Sequence, residues 1–227
     1  MTVTVDDLDK NEPVDRIHFE RRLWEEGMQR VMGLDEVGRG CLAGPVVAAG
    51  VIFEAGTFVE EIKDSKALSL ADRKRLSRHI KEEARFWTVR WCMPREIDEL
   101  NILHASIKAM HKCSEAEQAA PDYLLVDGNR FSPGLCPHQC LVRGDDRSMS
   151  IAAASIIAKV YRDEWMRNLH EEYPYYGWNT NVGYPTRQHF EGLQEYGATR
   201  YHRQSFKLRT DKMIEEKNNS KGKGTFG

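Results

Sequence analysis

Hydrophobic residues along the chain fall into short unbroken runs separated by longer stretches with helical spacing. The runs, rich in β-branched and aromatic residues, predict strands at 31–35, 46–53, 86–92, 123–127 and 139–143. The helically spaced stretches predict helices at 19–30, 69–84, 94–118, 148–172, 186–196 and 211–217. Because a short glycine-rich turn joins the first two strands, we expect them to pair antiparallel. The later alternation predicts an α/β fold, a mixed sheet flanked by helices, with a small C-terminal helical region.

The length of 227 residues favours one main domain with appendages. We expect a flexible leader at 1–18, a catalytic domain at 19–183, a helical substrate-binding region at 184–217 and a disordered tail at 218–227. The N-terminus has neither a basic start nor an apolar stretch, so no signal peptide is expected. No apolar run approaches the ~20 residues of a membrane helix, so no membrane-spanning helix is expected.

We expect a cytoplasmic, monomeric protein without membrane contact.

The cysteines are odd in number and irregularly spaced, which predicts reduced thiols in a cytosolic protein. Cys136 and Cys140 flank His138 and could suggest zinc. A structural zinc site needs four ligands, usually in two spaced pairs, and no second pair is present. We therefore favour a turn that leads into a strand over a zinc site.

The net charge of −2 argues weakly against a nucleic-acid-binding protein. The stretch 199–212 is locally basic, however, and contains Arg200, His202, Arg203, Lys207, Arg209 and Lys212 against a single acid, Asp211. Because a local cluster of cations is what phosphate binding requires, this stretch is a candidate phosphate-binding surface.

Acidic residues follow two of the predicted strands and precede the longest predicted helix. They are Asp35 and Glu36, Asp127, and the pair Asp145 and Asp146. Strand ends at one edge of an α/β sheet converge on a crevice, where clustered carboxylates repel one another unless a cation is bound. Any single acid of this kind is more often a solvated turn residue or a helix cap. The three positions together favour a site for Mg²⁺ or Mn²⁺ that cleaves phosphodiesters.

Two further features lie near these acids or near the predicted C-terminal region. The turn Gly38-Arg39-Gly40 directly follows the first acids, and its glycines permit close backbone approach to a ligand or a simple tight turn. Tyr184 lies between a glycine and a proline, where it could stack on a sugar or base or be an ordinary surface tyrosine.

The order and spacing of these motifs resemble the ribonuclease HII family over nearly the whole chain, from about 19 to 207. The resemblance rests on the segments 33–40, 42–47, 64–68, 96–105, 125–128, 144–145, 148–163, 183–186 and 202–206. The most specific are Asp-Glu-Val-Gly-Arg-Gly at 35–40 and Ser-Ile-Ala-Ala-Ala-Ser-Ile-Ile-Ala-Lys-Val at 150–160. The resemblance implies a ribonuclease-H-like fold and cleavage of RNA in RNA–DNA hybrids and of DNA duplexes that contain ribonucleotides.

The resemblance also implies a role for individual residues. The catalytic metal ligands for Mn²⁺ or Mg²⁺ would be Asp35, Glu36, Asp127 and Asp145. The ribose 2′-hydroxyl and the scissile phosphate would be bound by Gly38, Arg39 and Gly40, largely through backbone groups, and Tyr184 would stack on the following sugar. This chain has Gly-Asp-Asp-Arg-Ser at 144–148 where the family usually has Gly-Asp-Ala-Lys-Ser, so Asp146 competes with Asp145 for the fourth position.

Three other interpretations fit the sequence less well. The related ribonuclease HIII family usually has an extra N-terminal domain, for which the residues before Asp35 are too few. A non-catalytic nucleic-acid-binding module would be expected to lack some of the carboxylates. A resolvase or integrase on a similar fold would give the glycine turn and Tyr184 no role.

Overall fold

Five strands form one sheet in the computed structural model, which describes residues 15–62 and 68–208. The strands are β1 (Val31–Val37), β2 (Val46–Ile52), β3 (Phe86–Cys92), β4 (Tyr123–Asp127) and β5 (His138–Leu141). Their order across the sheet is β3-β2-β1-β4-β5. Strand β2 pairs antiparallel with β1 and β3, whereas β4 pairs parallel with β1 and β5. The predicted antiparallel first pair is confirmed, and β1, β4 and β5 end at the same edge.

The helices in the described residues are α1 (His18–Glu25), α2 (Leu70–Glu83), α3 (Pro94–Leu100), α4 (Ile102–Ser114), α5 (Gly144–Arg147), α6 (Met149–Glu172), α7 (Trp178–Asn181) and α8 (Arg187–Tyr196). Three of them begin at a hydroxyl cap, in which Ser69, Ser148 or Thr186 accepts a backbone N–H three residues later. Such caps satisfy a donor that the first helical turn leaves unpaired, so these helices begin close to where the sequence predicts.

The single helix predicted at 94–118 is wrong, because the chain forms α3 and α4 instead. Asn101 separates them with a φ of 65°, and its side chain accepts the N–H groups of Leu103 and His104. An asparagine tolerates this left-handed conformation and caps the second helix. Helix α1 ends at Glu25 rather than at residue 30, and the short helices α5 and α7 were not predicted.

Some predictions fall outside the described residues. They are the helix at 211–217, the tail at 218–227, most of the leader and the segment 64–66. Among the residues that the structure describes, no helix combines the length and the apolar character needed to cross a lipid bilayer.

Helices cover both faces of the sheet. On one face, α6 and α2 pack over inward-facing residues that include Val47, Val51 and Ile157. On the other face, α4 packs over a core that includes Leu34 and Met110. The predicted fold class, a mixed α/β sheet flanked by helices, is confirmed.

Helix α6 approaches β1 unusually closely. A Cβ atom at Gly33 would lie 2.1 Å from the backbone carbon of Ser150, a distance that no side chain can occupy. Glycine at this position therefore allows the first turn of α6 to lie directly against β1, two residues before Asp35.

Candidate active site

The predicted carboxylates come together at the edge where the parallel strands end. Leu34 lies opposite Val126 in the parallel pairing of β1 and β4, so Asp35 and Asp127 follow at neighbouring strand ends. Asp145 follows β5 in the short helix α5. We call Asp35, Glu36, Asp127 and Asp145 the acid edge.

The carboxylates of the acid edge repel one another. Asp35 is only 7% exposed, and burial raises its pKa well above its ordinary value, with further increases from the charges of Glu36 and Asp127. Burial also raises the pKa of Asp127, and the charge of Asp145 adds to that increase. The four side chains are therefore coupled electrostatically in a chain.

Hydrogen bonds hold this repulsive arrangement in place. Asp35 accepts the backbone N–H of Glu36 at 2.7 Å and a side-chain hydrogen bond from Ser155 of α6. Asp127 Oδ1 accepts the backbone N–H of Gly144 at 2.6 Å, which connects β4 to the start of α5. Each of these bonds favours the charged carboxylate and partly opposes the effect of burial on its pKa.

Glu36 has a cationic partner. Arg39 Nη1 lies 3.0 Å from Glu36 Oε1, and Arg39 is half exposed whereas Glu36 is nearly buried. Burial raises the pKa of Glu36, while the charge of Arg39 lowers it. The Arg39 side chain therefore contacts the acid edge itself, in addition to the backbone role that the resemblance implies.

The donor set of the acid edge suits a hard divalent cation. Within the part of the chain that the structure describes, no three His, Cys, Asp or Glu side chains already converge closely enough to enclose a metal ion. The carboxylate oxygens are nevertheless the ligands that Mg²⁺ and Mn²⁺ prefer. Because Glu36 and Asp127 both raise the pKa of Asp35, a cation bound between them would relieve repulsion that already exists.

Asp145 and Asp146 are both half-buried in α5. The charge of Asp145 raises the pKa of Asp127, which connects Asp145 to the rest of the acid edge. This coupling favours Asp145 as the fourth carboxylate.

The glycine turn and Tyr184 lie side by side. A Cβ atom at Gly40 would lie 3.7 Å from Tyr184 Cε1, and the N–H of Leu42 donates to the carbonyl of Gly183 at 2.8 Å. Tyr184 is 40% exposed, so its ring is available to a ligand at the turn. The two sequence features that were considered separately thus form one surface next to the acid edge.

Two buried arginines, Arg162 and Arg203, hold this turn from behind. We call them the arginine pair, and both are 0% exposed. The side chain of Arg162 donates to the carbonyls of Pro45, Val182 and Ala43. That of Arg203 donates to the carbonyls of Gly44, Arg39 and Gly38. Burial lowers the pKa of Arg203 to about 10, so it stays charged at neutral pH.

The close packing of the arginine pair explains one glycine of the turn. Gly38 has a φ of 94°, and a Cβ atom there would lie 2.2 Å from Arg162 Nε. Only glycine meets both requirements.

A pair of buried histidines, His189 and His202, supports the backbone of Tyr184. We call it the histidine pair. His189 Nδ1 lies 2.9 Å from the Tyr184 carbonyl, and the two Nε2 atoms lie 3.1 Å apart. Because Thr199 N–H donates to His202 Nδ1, His202 is neutral and its Nε2–H faces His189. Burial lowers the pKa of both, that of His202 to about 3.

The predicted basic surface at 199–212 is therefore wrong in part. His202 is 1% exposed and Arg203 is 0% exposed, so neither can contact a phosphate at the surface. Arg200 and Lys207 are exposed, whereas Arg209 and Lys212 lie outside the described residues.

The sequence interpretation also missed Ser155 and the structural role of Arg162. Ser155 is a polar residue between Ala154 and Ile156 in a buried helix, and this was the available signal. The cysteines are unpaired, and His138 and Cys140 lie within β5 itself. Burial, with the charge of Asp122, raises the pKa of Cys136 to about 11.

A cavity of about 300 Å³ opens beside Glu36 and Asp127. Its other walls include Ser106 of α4 and the exposed residues Asn129 and Arg130, which follow β4. The cavity extends the acid edge toward solvent.

Comparisons with known proteins point to one family over most of the chain. A family model described as ribonuclease HII matches residues 32–209. A ribonuclease HII from Salinibacter ruber is 52% identical over 199 residues, which cover 86% of this chain and 100% of the relative.

Solved structures give the same architecture. The ribonuclease H2 from Pyrococcus horikoshii OT3 matches with a TM-score of 0.71 and 25% identity, over 83% of this chain and 98% of that one. Bst-RNase HIII in complex with Mn²⁺ matches with a TM-score of 0.58 and 21% identity, over 92% of this chain and 77% of that one. The second likeness concerns the fold alone.

Proposed function

Because this chain belongs to the ribonuclease HII family and is therefore a ribonuclease H, an endonucleolytic hydrolase, we propose that it acts on two duplex substrates. It cuts the RNA strand of RNA–DNA hybrids, and it cuts on the 5′ side of ribonucleotides embedded in duplex DNA. The products carry 3′-hydroxyl and 5′-phosphate ends. The observation that carries this proposal is the position of the glycine turn and Tyr184 directly beside the acid edge.

Asp35, Glu36, Asp127 and Asp145 would hold the catalytic cations, Mg²⁺ or Mn²⁺. Support comes from the raised pKa values of Asp35, Glu36 and Asp127, from the effect of the Asp145 charge on Asp127, and from the Mn²⁺ complex of Bst-RNase HIII, a protein of similar fold. Bound divalent cations lower the pKa of water and stabilise negative charge on phosphate oxygens. The protein's own contribution is to fix the carboxylates, through the N–H groups of Glu36 and Gly144 and the side chain of Ser155.

The glycine turn identifies the ribonucleotide. A 2′-hydroxyl both donates and accepts a hydrogen bond, and it is the group that distinguishes RNA from DNA. Arg203 occupies the inward carbonyls of Gly38 and Arg39, so these peptides are fixed before substrate binds. A fixed polar turn loses less entropy on binding than a mobile one.

Tyr184 contributes the second part of recognition. Its ring packs on the sugar that follows the ribonucleotide, and its hydroxyl reaches the 2′-hydroxyl. A sugar without a bulky 2′ group allows this packing, which favours RNA-to-DNA junctions. The nucleic acid continues along the cavity beside α4, where Arg130 and Asn129 face solvent.

The proposal is tested by mapping cleavage on an end-labelled DNA duplex that contains one ribonucleotide, with Mg²⁺, Mn²⁺ or a chelator. We expect a single cut on the 5′ side of the ribonucleotide and none with the chelator. Asp127→Asn should abolish the cut but retain binding of the duplex. A cut at another position, or metal-independent cleavage, would contradict the proposal.

A matched pair of variants tests the fourth carboxylate. Asp145→Asn should abolish cleavage, whereas Asp146→Asn on the same short helix should retain most of it. The opposite result would assign the role to Asp146 and leave the reaction as proposed.

A further inference from the structure

The N-terminal helix α1 contacts the start of α6, directly after the short helix that carries Asp145. Its residue Glu20 is 1% exposed although it is acidic. Glu20 Oε1 accepts hydrogen bonds from Ser148 Oγ at 2.5 Å, from Ser150 Oγ at 2.6 Å and from the backbone N–H of Ser150 at 3.0 Å. A buried carboxyl group with three donors fixes the groups around it.

These serines form the first turn of α6. Ser148 caps this helix by accepting the N–H of Ile151, and its own N–H donates to the carbonyl of Gly144. The residues from Gly144 to Ser148 therefore form one continuous connection between Asp127, Asp145 and Glu20. Ser148 is thus hydrogen-bonded both to α5, through Gly144, and to Glu20.

A second residue of the same segment makes the contact more direct. Arg16 Nη1 donates to the backbone carbonyl of Asp145 at 3.3 Å, and the carbonyl of Arg16 accepts the N–H of Met149 at 2.7 Å. Residues on both sides of the α5–α6 junction are thus bonded to the segment Arg16–Glu20.

The apolar side of α1 packs in a separate hydrophobic cluster. Phe19 and Leu23 are buried in a cluster with Leu125, Leu141 and Ile151, which belong to β4, β5 and α6. The match to the family model begins at residue 32, so α1 lies before the matched segment.

We propose that Glu20 and Arg16 are positioning residues for the fourth metal ligand, holding the α5–α6 junction so that Asp145 faces Asp127. This inference rests on the proposed function of the acid edge. Partners that orient a metal ligand commonly change metal affinity about tenfold to a hundredfold when removed. Helix α1 is thus part of the apparatus that sets metal affinity.

The test has two parts. Mn²⁺ binding to the protein without nucleic acid is measured by calorimetric titration, and the rate of cleavage is measured as a function of Mn²⁺ concentration. We expect Glu20→Gln and Arg16→Gln each to weaken Mn²⁺ binding and to raise the Mn²⁺ concentration for half-maximal cleavage about tenfold. Cleavage at saturating Mn²⁺ should return to near the wild-type rate. Glu25→Gln, an exposed residue on the same helix, should change neither quantity.

Leu23→Ala separates positioning from general stability. It should lower the melting temperature of the metal-free protein while leaving the Mn²⁺ requirement of the folded protein close to wild type. The inference is overturned if Glu20→Gln and Arg16→Gln bind Mn²⁺ like the wild type, or if Leu23→Ala weakens Mn²⁺ binding as much as they do. A wild-type protein that binds Mn²⁺ but cleaves neither duplex would instead refute the proposed function.

Discussion

The acid edge and the arginine pair lie on either side of the same turn, and they differ in how their buried charges are balanced. In the acid edge, the charges of Glu36 and Asp127 raise the pKa of Asp35 and the charge of Asp145 raises that of Asp127, so the fold holds these carboxylates in a repulsive arrangement. The arginine pair is buried more deeply, yet its side chains are bonded to backbone carbonyls of the turn and of Val182. The first region is arranged for a ligand, whereas the second is satisfied by the protein itself.

This difference indicates how each region should respond to mutation. Burying like charges costs folding free energy, and a functional site tolerates that cost because a ligand relieves it. Burying a cation costs folding free energy as well, but its hydrogen bonds offset it, and their loss leaves carbonyls unpaired. Conservative substitutions should therefore separate stability from activity in the acid edge and lower both at the arginine pair.

The largest effect is expected for Asp35→Asn. Cleavage should fall on the order of a thousandfold, while the metal-free protein becomes more stable. Each unit of raised pKa corresponds to about 1.4 kcal/mol of folding free energy, which the neutral amide recovers. Turnover under saturating metal and chemical denaturation with a chelator provide the two measurements.

Asp163→Asn is the matched control for this substitution. Asp163 is also buried, but it is paired with Lys159 at 2.7 Å and lies near Arg167. Its replacement should destabilise the protein. If both variants lose stability, the acid edge is not repulsive in the folded protein.

Arg203→Lys should have the next largest effect. A lysine cannot reach the carbonyls of Gly38, Arg39 and Gly44 with one planar group, so we expect a loss of about 3 kcal/mol of stability. Cleavage should fall as well, because the turn loses its fixed geometry. Arg200→Lys, at an exposed arginine three residues earlier, should leave the melting temperature nearly unchanged. Similar melting temperatures for both variants would contradict the assigned role.

Tyr184→Ala tests recognition at the junction. The loss of one polar contact costs about 1–3 kcal/mol, which corresponds to roughly tenfold to a hundredfold in rate. Cleavage at single ribonucleotides should fall by this factor relative to long hybrids, with Tyr184→Phe intermediate. An unchanged ratio of the two activities in all three proteins would exclude Tyr184 as the junction sensor.

Most strands of the sheet could be predicted because they are short, largely apolar runs rich in β-branched and aromatic residues, and β3 and β4 have the predicted bounds. The break between α3 and α4 was missed because it depends on one residue, Asn101, in a left-handed conformation. Helical spacing continues on both sides of it. The short helices α5 and α7 have four residues each, too few for a periodic pattern.

The acid edge could be predicted because carboxylates at strand ends are visible in a sequence. The arginine pair could not, because a basic residue near a phosphate-binding region is read as a surface cation. Whether Arg203 faces solvent or the carbonyls of a turn more than 150 residues earlier is decided by tertiary packing. The role of Glu20 was hidden for the same reason, since its serine partners are distant in sequence.

The smallest predicted effect is a pH dependence with opposite signs in two regions. His189 and His202 have lowered pKa values in the folded protein, that of His202 being about 3. Their stabilising contribution is complete above the unfolded value near 6.5 and is lost as the pH falls from there toward 3. Asp35, Glu36 and Asp127 of the acid edge have raised pKa values, so their repulsion weakens as the pH falls through those values toward the ordinary range near 4. Acidification of the metal-free protein should therefore loosen the backbone near Tyr184 by on the order of 1 kcal/mol per pH unit, while the amides of β1 and β4 lose no protection from hydrogen exchange.

Hydrogen exchange of individual amides between pH 6.5 and 4.5 measures the responses of these two regions separately. His202→Gln should abolish most of the pH dependence near Tyr184, and His104→Gln, at an exposed histidine of α4, should not. Equal loosening of both regions would mean that the histidine pair does not respond separately, and that acid acts on the domain as one cooperative unit.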